Sequence, residues 1–337
     1  MKNILVTGGT GYIGSHTVIE LLKAQYNVLV VDNLRNSKIQ VLDRMERITG
    51  KRPIFYKVDL LDKHGLEHVF AAHAIDAVVH FAGLKAVGES TQIPLEYYSN
   101  NVNGTLVLCE LMNAFNVKSL VFSSSATVYG DPHTVPIDED FPLKATNPYG
   151  RTKLMIEDIL RDLWAADNDW RIALLRYFNP VGAHASGLMG EDPNGIPNNL
   201  MPFIAQVAIG KLERLSVFGD DYPTADGSGV RDYIHVVDLA VGHLKALEKL
   251  AEKNGVEAYN LGTGRGYSVF EMIKAFERNS KKSIPFTVTK RRPGDIAICY
   301  ANPQKAHREL EWRAVKDIDD MCADTWRWQS QNPHGYV

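Results

Sequence analysis

A glycine-rich segment near the N-terminus has the spacing of a phosphate-binding loop. Residues Gly8 to Gly14 contain the pattern G-x-x-G-x-x-G and, in a shifted register, G-x-G-x-x-G. Glycines allow a tight turn there and let the backbone approach a pyrophosphate, whose charge faces the N-terminus of the next helix. Because turns are rich in glycine anyway, the pattern gains its weight from a predicted strand before it and a predicted helix after it.

An acidic residue follows the loop at an informative distance. Asp32 lies 18 residues beyond Gly14, at the end of the second predicted strand. This is close to the ~20 residues expected for the carboxylate that binds an adenosine ribose 2′-hydroxyl. A carboxylate there would repel a 2′-phosphate, so NAD is expected rather than NADP. The alternative is a turn followed by a helix-capping Asp; the combined pattern favours dinucleotide binding.

Tyr149 and Lys153 are four residues apart, on one face of a predicted helix. Such pairs are common by chance, and this one gains weight because its helix follows the strand end that carries Ser125. A phenol needs a pKa shift of about three units, or about 4 kcal/mol, to act as a base near neutral pH. A cationic Lys153 and a positively charged nicotinamide both favour phenolate, and Ser125 can bridge a substrate hydroxyl and Tyr149. The alternative, an exposed Tyr/Lys pair without function, is disfavoured by this position.

The first half of the chain alternates short apolar runs with longer helical patterns. The predicted strands are 4–7, 28–32, 54–59, 77–81, 119–124 and 172–177, and the predicted helices are 12–25, 39–48, 63–72, 95–115 and 149–166. Nearly continuous apolar strands are covered on both faces. Strand–helix alternation predicts an α/β fold with a Rossmann-type, doubly wound parallel sheet.

Beyond residue 179 the pattern changes to shorter elements. The predicted helices there are 201–209, 237–251 and 268–279, and the predicted strands are 216–218, 258–261 and 284–289. We expect a smaller C-terminal α/β lobe over the carboxyl ends of the strands, where such sheets bind ligands. The predicted division is a dinucleotide-binding domain over 1–180 and a substrate lobe over 181–337, and we leave open that the chain crosses back between them.

Composition excludes several classes of protein. The 337 residues carry 37 Lys and Arg against 40 Asp and Glu, which gives no electrostatic case for nucleic acid or an anionic membrane as partner. The cysteines Cys109, Cys299 and Cys322 form no C-x-x-C pair, and neither a signal peptide nor a membrane-spanning stretch is apparent. We expect a cytoplasmic protein. His64 and His68 lack further ligands nearby, so no metal site is predicted.

Seven segments resemble motifs of the extended short-chain dehydrogenase/reductase family, specifically its UDP-sugar 4-epimerases, over almost the whole chain. The segments are 7–16, 80–90, 123–130, 175–184, 195–200, 230–236 and 291–295. The first and third are widespread in the family, whereas 80–90 and the two arginine segments are much narrower. The resemblance implies reversible interconversion of UDP-glucose and UDP-galactose, a place in galactose metabolism, and a homodimer formed through helices 95–115 and 149–166.

The resemblance also implies the site residues. The catalytic residues would be Tyr149, Lys153 and Ser125. NAD would be held by Gly8, Gly11, Tyr12, Ile13, Gly14, Asp32, Asn33, Leu34, Asn36, Ser37, Asp59, Leu60, Phe81, Ala82, Gly83, Lys85, Asn100, Ser125, Tyr149, Lys153 and Phe178. The UDP-sugar would be held by Lys85, Ser125, Tyr149, Asn179, Asn199, Leu200, Ser216, Val217, Phe218, Arg231, Arg292, Asp295 and Cys299.

The implied mechanism uses tightly bound NAD as a resident oxidant. Tyr149 removes the proton of the sugar 4-hydroxyl while a hydride leaves C4 for the nicotinamide. The 4-keto sugar then turns about its bond to the anchored UDP and takes the hydride back on its other face.

At two places the sequence differs from related family members in a way that narrows the expected reaction. Related 4,6-dehydratases carry an Asp-Glu pair where this chain has Ala126 and Thr127, so dehydration is disfavoured. Cys299 stands where family members carry Tyr or a smaller residue, and the smaller residue is associated with room for an N-acetyl group. The chain is therefore predicted to accept UDP-GlcNAc and UDP-GalNAc as well, unless a one-residue register shift places Tyr300 there.

Two other functions remain as alternatives. Epimerases of UDP-uronates or UDP-pentoses share the Tyr/Lys pair and differ near C5 and C6 of the sugar. A non-catalytic NAD sensor on the same fold would not need Ser125, Tyr149 and Lys153 together, and all three are present.

Overall fold

The computed structural model describes residues 2–195, 197, 199–252, 254–292 and 295–337. The strands are β1 (Asn3–Thr7), β2 (Asn27–Asp32), β3 (Ile54–Lys57), β4 (Ala77–His80), β5 (Ser119–Ser123), β6 (Arg171–Tyr177), β7 (Asn179–Val181), β8 (Leu215–Phe218), β9 (Val230–His235), β10 (Gly255–Leu261), β11 (Gly266–Ser268), β12 (Phe286–Thr289) and β13 (Ile298–Cys299). The α-helices are α1 (Tyr12–Lys23), α2 (Val41–Thr49), α3 (Lys63–Ala72), α4 (Val87–Gln92), α5 (Pro94–Tyr97), α6 (Gly104–Ala114), α7 (Pro148–Ala166), α8 (Leu200–Ala208), α9 (Val236–Lys249), α10 (Val269–Ser280), α11 (Gln304–Leu310) and α12 (Ile318–Gln331).

Seven parallel strands form the central sheet, in the order β10-β6-β5-β4-β1-β2-β3. Its strands are almost wholly apolar because both faces are covered. One apolar core joins the sheet to α1, α2, α9 and α11, and a second joins the opposite face to α3, α6 and α7. This confirms the predicted α/β fold with a doubly wound sheet.

The chain returns to this sheet after leaving it. Strand β10 pairs with β6 from Gly255 opposite Arg171 to Leu261 opposite Tyr177, and α9 packs against α1. The C-terminal half of the chain therefore supplies both an edge strand and a covering helix to the N-terminal sheet.

The remaining elements form a smaller layer above the carboxyl ends of the central strands. Strand β9 pairs in parallel with β7 and β13 and antiparallel with β11, and β8 pairs with β12. Helices α8, α10 and α12 pack on these strands around a third apolar core. None of the described helices combines the length and the apolar character needed to cross a membrane.

The helix predicted over 95–115 is divided, which corrects that expectation. A π-helical turn, Tyr98–Asn103, separates α5 from α6. Within it the Asn101 side chain points inward, accepts a hydrogen bond from Leu84 N at 2.8 Å and donates to Leu84 O at 3.0 Å and Thr152 Oγ1 at 3.1 Å. Such turns often occur at functional sites. Strands β7, β9, β11 and β13 and helices α4, α11 and α12 were not among the predicted elements.

Candidate active site

A cavity of about 470 Å³ opens at the carboxyl ends of β1, β2 and β4. This volume lies within the range of small-molecule and cofactor sites. The predicted residues that line it are Gly8, Gly11, Tyr12, Ile13, Gly14, Asp32, Asn33, Asn36, Ser37, Asp59, Leu60, Phe81, Ala82, Gly83, Lys85, Asn100, Tyr149, Lys153 and Asn199. The glycine loop and the Tyr/Lys pair therefore face one shared space, although they lie more than a hundred residues apart in sequence.

The glycine loop has no room for side chains at its two ends. A Cβ atom on Gly14 would lie 2.3 Å from Gly8 O, and one on Gly8 would lie 2.7 Å from Ala82 N. Gly8 also has a φ of +69°, a conformation that disfavours residues with side chains. The loop leads directly into α1, so the free backbone N–H groups of that helix face the cavity and suit an anion.

Asp32, at the end of β2, is held in a fixed orientation beside the loop. Its Oδ1 accepts hydrogen bonds from Leu34 N at 2.8 Å and Ser37 Oγ at 3.0 Å, and its Oδ2 accepts one from Thr10 N at 3.2 Å. Nearby, Asn33 Nδ2 donates to Asp59 Oδ2 at 2.7 Å. Two oriented carboxylates at the end of the cavity beside the glycine loop are suited to the hydroxyl groups of a ribose.

At the other end of the cavity, α7 presents Tyr149 and Lys153. Asn147 begins the helix by accepting a hydrogen bond from Gly150 N at 2.8 Å. The Lys153 ammonium donates to Ser123 O at 2.8 Å and lies over the ring of Phe122. Both functional side chains are buried, and their charged forms are therefore costly.

Burial sets the protonation state of both groups. It raises the pKa of Tyr149 to about 12, and the Ser125 hydroxyl acts in the opposite direction. It lowers the pKa of Lys153 to about 8, and Glu157 one turn further along α7 opposes that effect. The described groups of the chain therefore hold Tyr149 as a neutral phenol, which differs from the shift toward neutral pH that a catalytic base requires.

A buried ion pair lies beneath the two functional residues. The Arg176 guanidinium on β6 donates to both carboxylate oxygens of Glu157, at 3.0 Å and 2.6 Å, and Ser124 Oγ donates to the same carboxylate at 2.6 Å. Burial alone would raise the pKa of Glu157, but the hydrogen bonds and charge of Arg176 outweigh it and leave that pKa below its usual value. The pair ties α7 to β6 and to the strand end that carries Ser125.

The residues predicted to bind the UDP-sugar lie mostly in the smaller layer. Asn179 is in β7, Leu200 begins α8, Ser216, Val217 and Phe218 are in β8, Arg231 is in β9, Cys299 is in β13, and Arg292 and Asp295 lie between β12 and β13. Arg292 Nε donates to Asp295 Oδ2 at 3.0 Å, and its guanidinium stacks 4.6 Å from the ring centre of Phe218. Two motif segments, 195–200 and 291–295, include residues 196, 198, 293 and 294, which lie outside the described residues.

Cys299 and Tyr300 face different neighbours. Cys299 pairs in register with Arg231 and packs in the apolar cluster that contains Phe178 and Tyr129. The Tyr300 ring lies instead against Gly266, where an added Cβ atom would be 3.3 Å from it. Of these two residues, Cys299 is the one that packs in the same apolar cluster as Phe178.

Three of the predicted cofactor residues, Leu34, Ser125 and Phe178, are not among the described residues that line the cavity. Leu34 contributes its backbone N–H to Asp32, and Phe178 is buried beside Cys299. Ser125 precedes the 3₁₀ turn Ala126–Tyr129 and accepts hydrogen bonds from Thr127.

Sequence reasoning missed a segment that forms part of the wall. Glu191 Oε1 accepts hydrogen bonds from Lys85 Nζ at 3.3 Å and Asn199 Nδ2 at 3.2 Å, and Asp192 Oδ2 accepts one from Lys38 Nζ at 2.6 Å. These acidic residues lie in a loop whose sequence shows no periodic pattern to reveal the placement. Tyr177, which also lines the cavity, could have been found from its position at the carboxyl end of β6.

The fold and site together define a nucleotide-sugar-modifying member of the short-chain dehydrogenases/reductases. The sequence profile of the family described as GDP-mannose 4,6 dehydratase matches residues 5–325. The UDP-glucose 4-epimerase of Bacillus subtilis (strain 168) is 66% identical over 333 residues, 99% of this chain and 98% of that protein. The chain belongs to the UDP-glucose 4-epimerase family.

Solved structures agree with this assignment. The crystal structure of UDP-glucose 4-epimerase from Bifidobacterium longum, in complex with NAD+ and UDP, superposes with a TM-score of 0.97 at 56% identity, covering 99% of this chain and 100% of that chain. The UDP-Glc/GlcNAc 4-epimerase of Campylobacter jejuni superposes with a TM-score of 0.86 at 36% identity, covering 98% of this chain and 100% of that chain.

Proposed function

We propose that this protein interconverts UDP-glucose and UDP-galactose by epimerisation at C4 of the sugar. The observation that carries the proposal is that Tyr149 and Lys153 line the same cavity as the glycine loop and Asp32. A base and a dinucleotide site that share one cavity are what a reversible oxidation at a single carbon requires.

The residues present fit NAD. The glycine loop would hold its pyrophosphate, because the loop's backbone is free of side chains and α1 begins there. Asp32 would bind the adenosine ribose, with Asp59 and Leu60 beside the adenine. Lys85, Asn100 and Lys153 would lie near the nicotinamide ribose, and Phe178 would support the ring from behind. When bound, NAD accepts a hydride from C4 of the sugar and returns it.

Tyr149 is the proposed base for the sugar 4-hydroxyl. Its phenolate takes the hydroxyl proton during oxidation, and the phenol so formed gives that proton back when the opposite face of the sugar is reduced. Ser125 would hold the sugar oxygen and the Tyr149 oxygen by hydrogen bonds. Lys153 adds a positive charge near the phenolate, which stabilises that form.

The UDP-sugar would be held by the smaller layer. Arg231 and Arg292 suit a diphosphate, because each guanidinium can donate two parallel hydrogen bonds. Asp295 would bind uridine ribose hydroxyls, and Phe218 lies beside Arg292, where a base can stack. The remaining contacts would come from Asn179, Asn199, Leu200, Ser216 and Val217.

The proposed substrate range includes UDP-GlcNAc and UDP-GalNAc. The small Cys299 side chain, which packs in the same apolar cluster as Phe178, supports this, because in the family a small residue at this position is associated with room for an N-acetyl group. The resemblance to the C. jejuni UDP-Glc/GlcNAc enzyme is consistent with it. Ala126 and Thr127 supply no carboxylate for eliminating water, which supports epimerisation over the dehydratase activity that the family profile is named for.

We also propose a homodimer in the cytoplasm, with NAD bound chiefly by residues 1–180 and the UDP-sugar chiefly by 181–337. Leu95 on α5 is 82% exposed, and Leu106 on α6 and Met155 on α7 are also exposed. Apolar side chains on neighbouring helices are typical of a protein–protein interface. Three unpaired cysteines fit a reducing compartment.

The proposed activity is tested by product analysis. The purified protein is incubated without added cofactor with UDP-galactose and, separately, with UDP-GlcNAc, and the nucleotide sugars are separated. Conversion of both supports the full proposal, and conversion of UDP-galactose alone removes the N-acetylated substrates from it. No conversion of either, even with NAD supplied, contradicts the epimerase assignment.

A further inference from the structure

A short loop from the C-terminal half of the chain forms part of the cavity wall. Residues 190–194, here called the strap, line the cavity together with the glycine loop and the segment that follows β2. The strap lies between β7 and α8 in sequence. It also contacts the segment after β2, where Asn194 Nδ2 donates to Arg35 O at 3.4 Å. The strap therefore joins the second half of the chain to the cavity proposed for NAD.

Two ion pairs hold the strap on either side of the glycine loop. Asp192 Oδ2 accepts a hydrogen bond from Lys38 Nζ at 2.6 Å, and Glu191 Oε1 accepts one from Lys85 Nζ at 3.3 Å. Lys38 follows β2 and Lys85 follows β4. Because β1 lies between these two strands in the sheet, the glycine loop that follows β1 lies between the two lysines. The strap thus crosses the cavity at the glycine loop, where the pyrophosphate of NAD would be held.

The segment that follows α12 holds the strap from its other side. Tyr336 N donates to Asp192 Oδ2 at 2.9 Å, and the Tyr336 hydroxyl donates to Gly190 O at 2.9 Å and accepts from Gly190 N at 3.1 Å. The contact is close, because a Cβ atom on Gly335 would lie 2.2 Å from Asp192 Oδ2. The Asp192 carboxylate therefore joins Lys38 in front of the strap to Tyr336 behind it.

The strap carries two negative charges beside the proposed pyrophosphate site. Like charges repel, so Glu191 and Asp192 by themselves disfavour a diphosphate, and the two lysines offset that charge. Lys38 and Asp192 are partly exposed, and an ion pair at such a position contributes little to the stability of a fold. The Lys38–Asp192 pair is therefore suited to hold a loop that opens and closes.

We propose that the strap closes over the dinucleotide cavity and retains NAD there, and that the Lys38–Asp192 ion pair and Tyr336 hold it closed. This inference rests on the proposed binding of NAD and names what keeps the cofactor in the site between turnovers. NAD leaves when the strap is open, so its dissociation rate follows the open fraction. A change that breaks the bond at Asp192 raises that fraction and speeds the release of NAD.

The test measures the release of NAD without turnover. The protein, loaded with NAD and desalted, is incubated with a glycohydrolase that destroys free NAD, and the NAD still bound is extracted and measured over time. For Lys38→Met we expect release to be roughly 3–10-fold faster, the effect of one charged hydrogen bond at a partly exposed site. Tyr336→Phe, which removes the hydroxyl bonded to Gly190, should also speed release. Lys63→Met removes an exposed lysine on α3 that donates to Glu110 at 2.7 Å, and as the matched control it should keep the wild-type rate.

Asp192→Asn separates the strap from a direct effect of charge on NAD. It removes a negative charge from the cavity wall and keeps an oxygen that can accept from Tyr336 N. An effect of charge alone would slow the release of NAD, because a repulsion is lost. A strap that retains NAD predicts faster release, by a factor similar to that of Lys38→Met. The double variant Lys38→Met/Asp192→Asn should be no faster than either single variant, because both remove the same ion pair.

The outcomes that would overturn the inference are specific. Slower or unchanged release in Asp192→Asn excludes a strap held by this carboxylate. Multiplied effects in the double variant, or equal acceleration in Lys63→Met, would show that each change loosens the protein separately. Failure of the wild-type protein to epimerise contradicts the proposed reaction and leaves the release rates as the test of the strap, because they need no turnover.

Discussion

The Lys153 ammonium lies 6.0 Å from the centre of the Tyr149 ring, one turn further along α7. Lys153 Nζ also donates a hydrogen bond to Ser123 O, which fixes the position of its charge. Even so, burial leaves the pKa of Tyr149 raised to about 12. The groups of the chain by themselves do not make Tyr149 a base near neutral pH. The positive charge of an oxidised nicotinamide is therefore needed to lower the pKa of Tyr149 further.

Replacement of the phenol tests the role of Tyr149 directly. We expect Tyr149→Phe to lower kcat by about 10²–10⁴, the usual contribution of one positioned acid–base group. The apolar ring should retain its packing, so the unfolding free energy should change little. Tyr26→Phe, at a partly exposed position between α1 and β2, should keep full activity. A Tyr149→Phe enzyme with wild-type kcat would refute the assignment.

Gly14 tests the dinucleotide site. A Cβ atom there would lie 2.3 Å from Gly8 O, so Gly14→Ala must displace the loop. Overpacking of this kind costs about 1–3 kcal/mol, which corresponds to roughly 5–150-fold weaker binding if it falls on the bound state. The measurement is the NAD released from equal amounts of denatured protein. Gly88→Ala is the control, because no atom lies within 4 Å of the added Cβ; equal NAD content in all three proteins would contradict the account.

Substitution in the Glu157–Arg176 pair tests how much this buried ion pair stabilises the region beneath the site. Arg176→Met leaves Glu157 buried without its main partner, and such changes cost about 3–5 kcal/mol. Arg161 also contacts Glu157, at 3.1 Å, but lies at the surface, so Arg161→Ala should cost less than about 1 kcal/mol. Urea unfolding of the two variants gives both values. Similar losses of unfolding free energy in the two variants would mean that the Glu157–Arg176 pair stabilises the fold no more than the surface pair does.

The stability of the protein should fall in mild acid. Burial lowers the pKa of His16 and His80 to about 3 and that of His243 to about 4, whereas the unfolded value is near 6.5. The unfolded chain therefore binds protons below pH 6.5 that the folded protein does not. This stability is fully present above pH 6.5 and is lost as the pH falls toward 4, with a slope of up to about 1.4 kcal/mol per pH unit for each histidine.

Urea unfolding between pH 7 and pH 5 measures that slope. His243 Nε2 has no hydrogen-bond partner among the described residues, so His243→Phe can remove the titrating group while keeping an aromatic ring. We expect a shallower pH dependence in this variant. His64→Gln, at an exposed site on α3, should leave the slope unchanged, and an unchanged slope in His243→Phe would contradict the assignment.

Cys299 tests the substrate range. Cys299→Tyr should lower kcat/KM for UDP-GlcNAc by about 10–200-fold relative to UDP-galactose, because filling a pocket by a group of this size costs about 1–3 kcal/mol. Tyr300→Cys is the matched control, since Tyr300 lies against Gly266 rather than beside Phe178. A change of preference in Tyr300→Cys but not in Cys299→Tyr would assign the role to the neighbouring position.

The sheet was predictable because its strands are continuous apolar runs. The runs 28–32 and 54–59 predict β2 and β3, although β3 ends two residues earlier, at Lys57, and the glycines before α1 predict that helix. The division of 95–115 was not predictable, because it depends on Asn101 reaching Leu84 across the fold. A local sequence pattern does not show a contact between a side chain and backbone that lies elsewhere in the sequence.

Part of the site was predictable because the residues concerned are close to each other in sequence. Asp32 and the glycine loop are close in sequence, and Tyr149 and Lys153 share a helix, so spacing alone brings each pair together. Glu191 and Asp192 join the wall through lysines more than a hundred residues away, and their loop has no periodicity. The sequence gives the charges near Tyr149 but not the burial that raises its pKa.

The central claim is that oxidation and reduction occur at one carbon of a substrate that never leaves the site. It is tested most directly with UDP-galactose that carries deuterium at C4, mixed with UDP-galactose that carries ¹³C in the sugar and no deuterium, and the protein as purified. We expect UDP-glucose in which the deuterium stays at C4 of the ¹²C molecules. Loss of the deuterium to water, or its appearance in the ¹³C sugar, would contradict the claim.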